Sequence, residues 1–287
     1  MPRGLDHIVH AVRDLDAAAD LYRRLGFTVG ARNRHPWGTH NYIVQLPGFF
    51  IELLTLAEPD KLGSDGISKM FGAYNGDFLK RAEGLSLLIL ESRDAIADAA
   101  GFRKAGIAAA EVVRFEREGK RPDGTPVKVA FSLAFAEDKG APDLHFAVCQ
   151  QHYPENFWNP AFQQHANSVS AIAGAVIVAD EPRKHLDFMQ SFSGAAAQQG
   201  DNGFVITTLR GAVDVMTPGA FTRRFGVAAP DMRRGARLAA IRFIAADASL
   251  LQSAPEFAGM AGLYAGNAAV IGAEDAMGAV LVFEPGA

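Results

Sequence analysis

The sequence predicts an α+β protein assembled from repeated βαβββ modules, and three observations carry that expectation. A strand-and-helix pattern at the N-terminus recurs eighty residues later with its capping residues in place. Each copy is followed by three strand-like runs separated by turn formers. Of the 287 residues, 49% are apolar, enough for each of two ordinary domains to bury a core.

In the first copy, GLDHIVHAV reads as a strand and DLDAAADLYRRLGF as a helix. Asp14 suits the N-cap, Leu15, Ala18, Tyr22 and Leu25 share one face, Arg23 and Arg24 fall in the last turn, and Gly26 suits the position after the C-cap. Strands are expected over 27–34, 39–46 and 49–56, broken by Pro36-Trp37-Gly38 and Pro47-Gly48. Residues 57–82 form an irregular insert with a short helix that could cover a cleft.

In the second copy, Gly84, Leu85, Asp94, Arg103, Lys104 and Gly106 stand where Gly4, Leu5, Asp14, Arg23, Arg24 and Gly26 stand in the first. Its later strands are expected near 111–118, 127–136 and 143–150. The offset grows from 80 to 95 because the hairpin around RPDGTP (121–126), a tight turn, is longer. A weaker third copy starts near Val169, with a helix over 182–192 and strands near 203–208 and 211–216; a fourth runs from Arg237 to VFEPG. Segment 152–168 lacks periodicity and marks the domain boundary.

The net charge of −4 is small and the 28 Lys and Arg are scattered, so nucleic acid is not an expected partner. No apolar run reaches the roughly 18 residues of a membrane span, and the N-terminus lacks the pattern of a secretory signal. The single cysteine, Cys149, cannot close an internal disulfide and sits in an apolar run as a buried, inert thiol, so a cytoplasmic setting is expected. No phosphate loop, GxSxG elbow, HExxH or CxxC pair occurs, and no nucleotide cofactor is implied.

His7 shares a strand face with Leu5, Val9 and Ala11, and Glu52 shares one with Phe50, Leu54 and Leu56. A carboxylate among apolar neighbours needs a partner, a proton or a metal, since an uncompensated charge costs several kcal/mol. On pattern alone, Glu52 on a solvated edge strand and His7 bonded to a backbone carbonyl is the favoured reading. His35, Trp37, Thr39, His40 and Asn41 make an unusually polar and aromatic turn: Thr39 and Asn41 are candidate substrate donors and Trp37 a wall, with His35 and His152 as further candidate substrate contacts. Ordinary turn chemistry around Pro36 and Gly38 is the alternative. His10 faces away from His7, under the helix; His152 and His165 flank the inter-domain segment, where either could close over a ligand or serve as an ordinary surface or capping residue, and His185 carries no role.

The modules resemble the vicinal oxygen chelate superfamily. LDHIVHAVRDLDAA, RHPWGTHN, FFIELL and the RPDG turn resemble, more closely, its glyoxalase-like domain family. The resemblance implies four βαβββ modules paired into two curved mixed sheets, with residues 1–160 holding the site and 161–287 forming a degenerate second domain. It also implies a metal ligand from the first strand of a module and another, usually Glu, from its last, which are the places of His7 and Glu52. The matching places in the second copy, Leu87 and Ala147, hold no ligand, and His145 is the candidate to complete the set. The implied ion is divalent Zn, Fe, Mn, Ni or Co.

The expected function is metal-assisted lyase or isomerase chemistry on a substrate with vicinal oxygens, with Glu52 as a ligand or a general base. The alternatives are a metal-free protein that sequesters an aromatic compound between Trp37, Phe49 or Phe50 and Trp158, a ring-cleaving dioxygenase, and an assembly scaffold that forms a homodimer.

Overall fold

Asp14 starts the first helix because its carboxylate accepts a hydrogen bond from the Ala17 amide at 2.9 Å. Gly26, at φ +80°, then turns the chain so that Phe27 enters the core. The same devices, Asp94 and Gly106 at φ +71°, frame the second helix of this kind. The computed structural model describes residues 2–120, 124–247, 262–265 and 267–286, and the first half of the tight turn expected at 121–126 lies outside them.

The first module comprises β1 (Leu5–Ala11), α1 (Leu15–Arg24), β2 (Asn33–Arg34), β3 (Thr39–Leu46) and β4 (Phe49–Leu56). A covering segment follows, in which a π-helical stretch over Ser68–Ala73 runs into α2 (Tyr74–Leu79). The second module comprises β5 (Gly84–Glu91), α3 (Ala95–Ala105), β6 (Val113–Lys120), β7 (Pro126–Ala136) and β8 (His145–Gln151). After the short α4 (Pro154–Phe157) come β9 (Val169–Val178), α5 (Leu186–Ser193), β10 (Gln198–Gly200), β11 (Gly203–Thr207) and β12 (Ala212–Met216). The chain closes with α6 (Pro218–Phe225), β13 (Arg237–Ala245), β14 (Gly262–Ala265), β15 (Ala268–Ile271) and β16 (Val280–Pro285).

These strands make two curved mixed sheets of eight, ordered β2-β3-β4-β1-β5-β8-β7-β6 and β10-β11-β12-β9-β13-β16-β15-β14. The second order repeats the first, so the weak third and fourth copies pair as the strong ones do. In each sheet a module's first strand runs parallel to its own last strand and antiparallel to the first strand of the next module. One strand expectation needs correction: 27–34 yields only Asn33–Arg34. The preceding residues are held elsewhere, since Thr28 donates from N to His165 Nδ1 (3.0 Å) and from Oγ1 to the Gln164 carbonyl.

The largest core cluster runs through both halves. Faces of α1 and α3 behind the first sheet meet α5 and one face of the second, with Phe27 against Phe243 and Phe146 against Phe188. The free face of the first sheet carries a separate apolar cluster under the covering segment. On the second sheet the equivalent face is occupied among the described residues: Phe221 and Phe225 of α6 pack on it, and Arg242 joins Asp214 and Glu284, with Arg224 completing the ion network. No helix among the described residues is long and apolar enough to cross a membrane.

Candidate functional site

Strand register assembles the site on the free face of the first sheet. His7 lies opposite Phe50 and Val9 opposite Glu52 on the parallel pair, while Glu52 lies opposite Ile43 on β3. The alternation of strands then turns His7, Phe50, Glu52, Ile43 and Asn41 toward one cavity. The covering segment closes it with Ile67 and Phe71, and the second module adds Phe115, Arg117, Phe131, Leu133 and Cys149.

Glu52 is buried and its Oε1 accepts from Asn41 Nδ2 at 2.5 Å; Asn41 in turn accepts from Asn33. Burial raises the Glu52 pKa, opposed by the His7 imidazole, the Asn41 hydrogen bond and the Arg117 charge. Arg117 is pulled the other way, its pKa lowered by burial and partly restored by Glu52. Among the described residues it makes no ion pair, so a guanidinium faces the cavity without a bound counter-charge.

The His7 ring stacks on Phe50, with centroids 4.2 Å apart, and its Nδ1 lies 2.5 Å from Asp6 Oδ1. Neighbours on a regular strand point to opposite faces, but the β1–β5 register jumps from Leu5–Leu90 to His7–Ile89 and leaves Asp6 as a bulge. The extra residue re-aims the carboxylate to the side of its neighbour. His35 lines the cavity, stacked on Trp37, and its Nδ1 is 2.8 Å from Thr39 Oγ1. Burial and the Arg117 and His40 charges lower its pKa to about 3, so the ring is neutral.

Several expected residues are brought together: His7, Glu52, His35, Trp37 and Asn41 line one cavity, and Thr39 holds His35 from behind. Two are not. His145 is at the far end of β8, stacked on Tyr74 and 3.3 Å from the Met70 carbonyl, because Leu87 rather than His7 is its neighbour on the adjacent strand. His152 is bonded to Ser132 Oγ at 2.8 Å, outside the cavity. Leu87 and Ala147 are apolar and buried in the cluster beneath the covering segment. The ligand set of His7, Glu52 and His145 therefore does not assemble, and no metal step is derived from it.

Asp6, Arg117 and Cys149 were not singled out as site residues from sequence. Arg117 had a signal, since it shares an alternating face of β6 with Val113 and Phe115. Cys149 is buried as expected, but at the cavity wall; burial and the Asp6 and Glu52 charges push its thiol well up.

The inner cavity measures about 50 Å³ and shares Ile43, Arg117 and Phe157 as wall residues with a recess of about 600 Å³. Trp158 and Phe162 line the recess, and Phe157 packs on Phe50 and Phe131. The Phe157 carbonyl accepts from Gln45 Nε2 at 2.9 Å, which ties this segment to β3.

Paired βαβββ modules forming curved mixed sheets, one with a cavity on its free face, define a protein of the vicinal oxygen chelate fold. The profile of the glyoxalase-like domain family matches residues 5–191, and the chain belongs to that family. A hypothetical protein from Staphylococcus aureus has a similar structure, at 14% identity and a TM-score of 0.67, covering 99% of this chain and 100% of its own. A mutant 4-hydroxymandelate synthase from Streptomyces coelicolor is similar at 11% identity and a TM-score of 0.64, covering 99% and 93%. At these identities the likeness shows the fold alone. No curated protein matches the sequence.

Proposed function

We propose that the chain is a small-molecule enzyme acting on a substrate with vicinal oxygens on an apolar or aromatic frame, in lyase or isomerase fashion. Glu52 exchanges a proton with the substrate and Arg117 meets the charge that develops on its oxygen. The observation that carries this reading is the pairing, in one apolar cavity, of a buried carboxyl whose pKa is raised with a guanidinium that has no ion pair among the described residues.

As a carboxylate, Glu52 takes the proton from a carbon beside a carbonyl. The C–H electron pair forms a carbon–carbon double bond while the carbonyl π pair moves onto its oxygen; protonation of the former carbonyl carbon, with the hydroxyl proton passing from its own oxygen to the neighbouring oxyanion, completes an isomerisation. A base whose pKa is shifted toward neutrality contributes about 10²–10⁴-fold. A fixed cation at the developing oxyanion contributes several kcal/mol by analogy with oxyanion-hole donors, because an apolar site screens it poorly. Asn41 holds one Glu52 oxygen and leaves the other for the substrate. The inner cavity has room for the reacting atoms only, so the apolar frame extends past Phe157 into the recess.

Proton exchange of α-hydroxyacetophenone in D2O, followed by NMR, tests the reading. Wild type should exchange the α-hydrogens above the buffer rate. Glu52→Gln should lose about 10²–10⁴-fold and Arg117→Gln about 10²–10³-fold. The sequestering alternative, favoured by the apolar Leu87 and Ala147 positions, gives binding that quenches tryptophan fluorescence and no exchange by wild type.

A further inference from the structure

We propose that Asp6, His7 and Cys149 form a site for one thiophilic divalent cation such as Zn²⁺, set to one side of Glu52 rather than on it. This inference stands on its own observations and not on the proton-transfer reading.

The three side chains offer a carboxylate oxygen, an imidazole nitrogen and a thiol sulfur within 4.8 Å of one another, all buried. Tetrahedral zinc with bonds of about 2.0–2.3 Å needs donors roughly 3.3–3.8 Å apart, so small side-chain shifts suffice. The bulge at Asp6 is what makes the set, since a regular strand would send Asp6 and His7 to opposite faces.

Two further observations point to a ligand here. The amide of Gln151 donates to Asp6 Oδ2 at 3.0 Å while its own Oε1 is buried with no hydrogen-bond partner, which supplies an oxygen donor next to the triad. A second recess of about 180 Å³ has Asp6, Cys149, Gln151 and Glu91 among its lining residues, so two members of the triad border a space that an ion could enter.

Charge agrees with the donor set. A divalent ion with one carboxylate, one thiolate and a neutral imidazole makes a group of no net charge, which burial tolerates. The mixture of sulfur, imidazole and carboxylate favours zinc over magnesium or calcium, which prefer oxygen alone.

Titration of the metal-stripped full-length chain with Co²⁺ tests the site. We expect one equivalent bound, with a sulfur-to-cobalt charge-transfer absorption in the near ultraviolet. Cys149→Ser and Cys149→Ala should both lose the absorption and bind at least about 100-fold more weakly, and Asp6→Asn should bind about 10–100-fold more weakly. Glu52→Gln should keep both binding and absorption while losing proton exchange, which separates this inference from the proposed reaction. Melting curves verify that each variant folds, and two Cys149 variants are compared so that one misfolded protein does not decide the matter. Wild type without bound Co²⁺, binding without the sulfur absorption, or binding lost in Glu52→Gln but kept in the Cys149 variants would each overturn it.

Discussion

At the scale of a residue, Glu52 sets stability against function. Its carboxyl is neutral in folded and unfolded chains below the ordinary value of 4.5, so there burial is tolerated. As pH rises through the raised folded value, the unfolded chain ionises more readily and stability is lost. Glu52→Gln keeps the acceptor for Asn41 without the charge, so its melting temperature should exceed that of wild type at pH 8. The gap, about 2–4 °C per kcal/mol, should close near pH 4; an equal gap at both would remove the buried charge as its cause. The alternation of β1, β3 and β4 made His7, Glu52 and Asn41 legible in the sequence. It hid Asp6, because a bulge overrides the period of two. His145 illustrates the other failure: it shares the strand face of Cys149, but at about 3.3 Å per residue it stands roughly 13 Å away. Face is written in local pattern, whereas position along the strand depends on pairing across it.

At the scale of an element, α6 covers on the second sheet the face that carries the cavity on the first. Thr217 caps it by accepting from the Ala220 amide at 3.3 Å, Pro218 opens it, Gly226 at φ +72° ends it, and Phe221 and Phe225 lie one turn apart on the buried face. All of these signals are in the sequence, yet the module repeat offers no slot for a helix there. The helices at Asp14 and Asp94 were legible because cap, periodicity and repeat agreed. Phe221→Ala should cost about 3–5 kcal/mol, read as a shift of the denaturation midpoint, and leave ligand binding at the first sheet unchanged. Both tryptophans, Trp37 and Trp158, belong to the first half, so their fluorescence reports that binding alone. A change in affinity would mean that α6 acts on the cavity through the shared core.

At the scale of the molecule, the halves are joined by groups that acid should disturb. His10 is fully buried under α1, 3.1 Å from Tyr22 Oη, and its Nε2 is 3.0 Å from the Met277 carbonyl of the other half. Burial lowers its pKa to about 4, against the opposing effects of Met277 and Glu83. Between the ordinary 6.5 and about 4 the unfolded chain takes up the proton and the folded one does not. Stability should therefore fall with pH across that window, by up to about 1.4 kcal/mol per unit from this residue. Thermal melts from pH 7 to pH 4.5 should show it, with His10→Gln less pH-dependent than wild type. Because Phe27 meets Phe243 in one core, far-ultraviolet dichroism and tryptophan fluorescence should report a single coincident transition. The sequence displayed four modules but not how their backs meet, since contacts such as Phe27 with Phe243 exist only once the halves have docked.

Phe157, a wall residue of both the cavity and the recess, bears on time as well as shape. Were its ring to have to turn aside for a compound to pass, the compound would be admitted at a pace the protein sets, however concentrated it becomes. Association of that kind levels off as concentration rises, in contrast to diffusive capture by an open cleft. A tight-fitting guest, once inside, would leave as slowly as the door opens, so that residence and not encounter would set how long the cavity stays filled.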